Sequence, residues 1–117
     1  MAGALIAGYA RSPLTLASKG ALKRIRPDDL AAAVIKGLMN RTGIDPNTLE
    51  DLIVGCAFPE GEQGLNVARN IGFLADLPNS VAGTTVNRFC GSSMQAIHMA
   101  VGAIATGAGD AFLCAGI

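Results

Sequence analysis

The chain has 117 residues, half of them hydrophobic and 15% charged, so it is large enough to bury a core and too apolar for a disordered tail. Nine basic and nine acidic residues cancel to zero net charge, which argues against the basic footprint of a nucleic-acid binder. Three cysteines with no C-x-x-C pair argue against a structural metal site; their odd number favours free thiols and a reducing compartment.

The N-terminus is apolar, but its first cation, Arg11, follows the apolar run where a signal peptide would have it in front. No run of about 18 apolar residues is present, so no membrane span is expected, and the expected location is cytoplasmic. Residues 4–9 (ALIAGY) read as a first strand, ended by Arg11-Ser12-Pro13. A loop follows to Pro27, carrying the cationic stretch KGALKRIR, whose plain reading is a solvated loop and whose alternative is contact with an anionic ligand such as a phosphate. Asp28 and Asp29 then open a helix with Leu30, Val34 and Leu38 on one face, and Gly43 stops it.

After a turn at Asp45-Pro46-Asn47, residues 52–57 (LIVGCA) form a continuous apolar run, as expected for a strand covered on both faces. Residues 65–75 read as a helix with Val67, Ile71 and Leu74 inward. Residues 81–86 (VAGTTV) make another strand by their β-branched content. A helix over residues 91–106 carries Met94, Ile97, Val101 and Ile104 at 3-4-3 spacing, and residues 111–115 (AFLCA) begin a last strand. Strands alternating with helices imply βαβ units: an α/β fold with a mainly parallel sheet and helices on both faces.

The chemistry concentrates at VNRFCGSSMQA, where a strand ends near Asn87 and a helix starts just past Cys90. Unpaired N–H groups and the dipole at a helix start favour a thiolate, the nucleophilic form of cysteine. Gly91, Ser92 and Ser93 keep the surroundings small, and the same free amides suit a developing oxyanion. Pattern alone leaves a second reading open, a small buried cysteine between strand and helix. Cys56 and Cys114, each in or ending an apolar strand, read as packed core thiols. His98 lies eight positions after Cys90, about 12 Å of helical rise, too far for a direct hydrogen bond, and reads as a structural or surface residue. Met94 and Met99 read as core or pocket lining. Gly107-Ala108-Gly109 follows a helix where a dinucleotide loop would precede one, and is set aside.

VNRFCGSSMQA resembles the segment around the acyl-accepting cysteine of thiolases. The similarity extends to Arg11-Ser12-Pro13, Ser18-Lys19-Gly20, Glu62-Gln63-Gly64 with Asn66, Ala68, Arg69 and Asn70, and Ala115-Gly116; Ser12 departs from the family's usual Thr. SKGALKRIRPDDL, the EQG…NVARN block and CGSSMQA look most like degradative 3-ketoacyl-CoA thiolases (acetyl-CoA acyltransferases). The resemblance implies the five-layered thiolase fold, of which residues 1–117 would be an incomplete N-terminal domain without the loop domain or the C-terminal domain. It implies that Cys90 is the nucleophile and forms the acyl-thioester, its backbone N–H contributing to the oxyanion hole. It further implies coenzyme A as substrate with no tightly bound cofactor and no metal, and a 3-ketoacyl-CoA cleaved to acetyl-CoA and a shortened acyl-CoA in fatty-acid β-oxidation. The family's activating histidine, second cysteine and Asn-His pair fall beyond these residues, so the 117 residues alone are expected to be inactive. A homodimer or tetramer is expected, formed through the region near Val81 to Arg88, with a fatty-oxidation complex subunit as a further partner. The alternatives are an acetoacetyl-CoA thiolase, a ketoacyl-synthase-like condensing enzyme, and a non-catalytic thiolase-like protein that binds CoA or lipid.

Overall fold

The apolar run after residue 50 forms strand β1, Asp51–Gly55, at the centre of a three-stranded parallel sheet of order β2-β1-β3. Its neighbours are β2, Ala82–Val86, and β3, Phe112–Gly116. The registers pair Ile53 with Thr84 on one side and with Cys114 on the other. The computed structural model describes residues 3–117; Met1 and Ala2, which begin the apolar N-terminal run, lie outside the described residues.

Chain order explains the layers. The chain leaves β1 through helix α2, Val67–Leu74, to reach β2 on one side, then returns through α3, Ser92–Ala105, to β3 on the other. Two crossovers of one hand stepping in opposite directions place their helices on opposite faces. The packing agrees: Leu52, Val54 and Cys56 join Val67 and Ile71 of α2 and Ile35 of α1 (Pro27–Thr42), whereas Ile53 meets Ala96 and Ala100 of α3. The first cluster is large and closed, and each fully buried aliphatic in it is worth roughly 1.5–3 kcal/mol over exposure.

Helix α1 runs between its expected signals, with Asp28 and Asp29 in the first turn and Gly43 in the left-handed conformation after the last. Its buried stripe, however, is Ala31, Ala32 and Ile35; Leu30, Val34 and Leu38 are only partly buried. Helix α2 is shorter than expected because Leu65 adopts φ 57°, a left-handed conformation that a helix cannot continue through. Thr85 of β2 supplies the missing cap: its hydroxyl accepts from the Ala68 N–H at 3.1 Å and donates to Asn66 Oδ1 at 2.7 Å. Val67 and Ile71 face inward as expected, but Leu74 is half exposed and Ala75 takes the buried place instead.

The first expected strand is absent. Leu5 is 91% exposed, and the segment lies along α1, with Gly8 beside Leu38 and Thr42 and the Tyr9 ring 5.9 Å from the Arg41 guanidinium. A strand requires a neighbour to receive its backbone hydrogen bonds, and here the segment's neighbour is a helix. Among the described residues no helix is long and apolar enough to cross a membrane.

Candidate active site

Loops that leave adjacent parallel strands toward opposite faces open a crevice at the carboxyl ends of the strands. The loops after β1 and β2 do this, and the turn after β2 carries Cys90 into that crevice. Cys90 is exposed, in a pocket of about 430 Å³ lined by Gly55 and Ala57 after β1, by Phe89, Ser92 and Ser93 of the turn, and by Gly116 and Ile117 after β3.

Between Arg88 and Ser92 the backbone N–H groups can be accounted for one by one. Arg88 donates to Ser92 Oγ at 2.8 Å and Phe89 to Asn87 Oδ1 at 2.9 Å. Gly91 donates to the Arg88 carbonyl and Ser92 to the Phe89 carbonyl, both at 3.0 Å. Only the Cys90 N–H makes no hydrogen bond among the described residues. Phe89, just before it, sits at φ 47°, a left-handed conformation that costs a non-glycine residue on the order of 1–3 kcal/mol and persists only where its surroundings enforce it. An exposed thiol beside an unpaired backbone donor has the parts needed to attack a carbonyl carbon and hold the resulting oxyanion.

Two glycines bring this turn down onto the sheet. A Cβ on Gly55 would collide with the Ser92 carbonyl carbon and the Ser93 nitrogen, and one on Gly116 would lie 2.6 Å from Ser93 Cβ. The two are register partners at the carboxyl ends of β1 and β3. Small residues at this edge therefore seat the start of α3, and with it Cys90, over the strand ends.

A family model for the thiolase N-terminal domain matches residues 4–117. The chain belongs to the thiolase family. A 3-ketoacyl-CoA thiolase of Acinetobacter baumannii is 50% identical over 107 residues, covering 92% of this chain and 27% of that protein. The corresponding protein of Bacillus subtilis is 48% identical over 116 residues, covering 99% of the chain and 30% of its own length. This thiolase chain thus spans less than a third of the curated relatives it matches.

Within the thiolase chain the other expected site residues fall as follows. Cys56 is fully buried, with the Gln63 amide 3.5 Å from its sulfur. Cys114 is half-buried on β3, its Sγ 3.5 Å from the Ala96 carbonyl; burial, and then the Asp51 charge, push its pKa up. His98 is exposed on α3. Met94, at 59% exposed, and Met99 lie on the uncovered side of α3, not in its core. Arg26 of the cationic stretch is taken up by Asp28 at 2.8 Å and Glu62 at 3.3 Å, whereas Lys19, Lys23 and Arg24 are exposed. The roles of Asn87 and of the Ser92 hydroxyl in the turn were not read from the sequence. An Asx residue at a turn, placed to receive the N–H two residues on, was the available signal for Asn87.

Proposed function

We propose that these residues belong to a 3-ketoacyl-CoA thiolase in which Cys90 is the nucleophile. The Cys90 thiolate attacks the ketone carbon of a 3-ketoacyl-CoA. The bond between the second and third carbons breaks, and its electron pair leaves with acetyl-CoA, which takes up a proton. The acyl group stays on sulfur as a thioester until the thiolate of a second coenzyme A attacks it, with the Cys90 N–H holding the oxyanion. The observation that carries this reading is the exposed Cys90 beside the single unpaired N–H of its turn, in a pocket at the strand ends. The names of the relatives support the substrate class.

The reaction is reversible as a condensation and fits fatty-acid β-oxidation in the cytoplasm, with coenzyme A as substrate and no tightly bound cofactor. Residues 1–117 form the first part of the N-terminal domain, and alone they do not turn over, because the proton-transferring residues lie in the remaining chain. The position of β2 at the edge of the sheet supports a homodimer or tetramer formed through the region Val81 to Arg88, and a fatty-oxidation subunit is a further partner.

The test is intact mass of the full-length protein before and after a 3-ketoacyl-CoA, with no free coenzyme A. A stoichiometric acyl adduct on Cys90, discharged by coenzyme A, is expected. No adduct across several chain lengths would leave a CoA- or lipid-binding relative. An adduct with the mass of the whole 3-ketoacyl group, formed with release of coenzyme A and no acetyl-CoA, would favour a synthase-like condensing enzyme.

A further inference from the structure

The Ser92 side chain has no part in the proposed chemistry, yet it is 96% buried and bonded twice to the turn that carries Cys90. Its Oγ accepts from the Arg88 N–H at 2.8 Å and donates to the Phe89 carbonyl at 2.6 Å. We infer that Ser92 is the positioning residue of the reaction: its hydroxyl clamps Phe89 in the left-handed conformation and so keeps the Cys90 N–H out of the turn's own hydrogen bonds and free for the oxyanion. This rests on the reading of Cys90 as nucleophile.

The geometry is specific. The first N–H groups of a helix have no partner within it, so their direction is set by the side chains and the turn that precede it. At this turn the Phe89 carbonyl already receives two donors, the Ser92 N–H and the Ser92 Oγ. The Arg88 N–H, next to a strand end and partly buried, has the Ser92 Oγ as its only partner among the described residues. Removing the hydroxyl leaves that N–H unpaired and takes away one of the two donors on the Phe89 carbonyl, loosening the hold on Phe89 at φ 47°. The turn then relaxes toward negative φ, which rotates the peptide between Phe89 and Cys90, and that peptide carries the Cys90 N–H. Asn87 assists from the other side by holding the Phe89 N–H.

The role separates cleanly from a general effect on stability. The clamp acts on one backbone N–H, and the sulfur stays exposed whichever way that N–H points. In the full-length protein, Ser92→Ala is therefore expected to lower kcat for thiolysis by about 10²-fold, the cost of a misplacement of about 1 Å. KM for the 3-ketoacyl-CoA should stay within about threefold, and iodoacetamide should alkylate Cys90 at close to the wild-type rate. Ser92→Thr, which keeps the hydroxyl, should recover most of kcat. Asn87→Ala, an exposed change, should lower kcat in the same direction by a smaller factor, and it decides the matter if Ser92→Ala fails to fold. A Ser92→Ala protein that is acylated and turns over at the wild-type rate would overturn the inference while leaving Cys90 as nucleophile. So would a kcat loss that Ser92→Thr does not restore, with Asn87→Ala unchanged. A wild-type protein with no acyl adduct would instead sink the thiolase reading itself.

Discussion

The two faces of the sheet are built to different ends. On the α1/α2 face, Leu52, Val54, Val67 and Ile71 are fully buried in one continuous cluster, and the helices are held by Thr85, by Asn66 and by Arg69 reaching the Val81 carbonyl. On the α3 face the buried apolar cluster is only Ile53, Ala96 and Ala100, while Met94, Ile97 and Val101 of the same helix stand exposed. One face is closed by large side chains; the other is seated by small ones and carries the turn with Cys90. Small residues let α3 sit low enough to aim Cys90 over the strand ends, at the cost of a core too thin to hold the helix strongly. The same helix therefore carries an exposed apolar stripe of Met94, Ile97 and Val101.

The largest contrast should appear in thiol chemistry. With iodoacetamide, Cys90 is expected to react at least about 100-fold faster than Cys56, whose modification requires the closed face to open. Cys114, half-buried and with its pKa raised, should fall between them; peptide mapping over time reads the order. Equal rates at Cys56 and Cys90 would break the distinction between the faces.

Stability comes next. Ile71→Ala on the closed face is expected to cost about 2–5 kcal/mol by urea denaturation, and Ile97→Ala on the open face under about 1 kcal/mol. Gly55→Ala should cost about 1–3 kcal/mol through overpacking against Ser92 and Ser93. The same variant should also slow acylation of Cys90 by displacing the start of α3, which a purely structural glycine would not do.

The smallest effect is a pH dependence confined to the closed face. The Arg26 guanidinium beside the buried Asp28 holds that carboxyl below the usual carboxylate range. A carboxyl depressed in the folded state adds stability at neutral pH, and that stability is lost as pH falls through its folded-state pKa. Asp28→Asn is therefore expected to lower Tm by a few °C at pH 7, with the difference from wild type shrinking as the solution is acidified below the ordinary carboxylate range.

Much of this was legible in the sequence, for local reasons. Asp28, Asp29 and Gly43 bracket α1, and the apolar run in β1 is central because both its faces are covered. The turn at Cys90 follows from strand content before it and helix periodicity after it. What the sequence did not disclose depends on distant partners. The ALIAGY segment has strand composition, but composition does not supply a neighbour to pair with. Helix α3 is apolar nearly all round, so periodicity could not say whether Met94 and Ile97 or Ala96 and Ala100 face the sheet. The glycines at 55 and 116 decide it, because only alanine-sized side chains fit so close an approach. Ser92 read as merely small, because its two hydrogen bonds exist only once the turn has closed.

The cap of α2 comes from Thr85, 17 residues further along the chain than the Ala68 amide it receives. During synthesis the start of this helix is therefore made before its acceptor exists. That cap forms only once β2 has been made and laid beside β1, which ties α2 to β2, and the closed face is complete only when β3 adds Leu113.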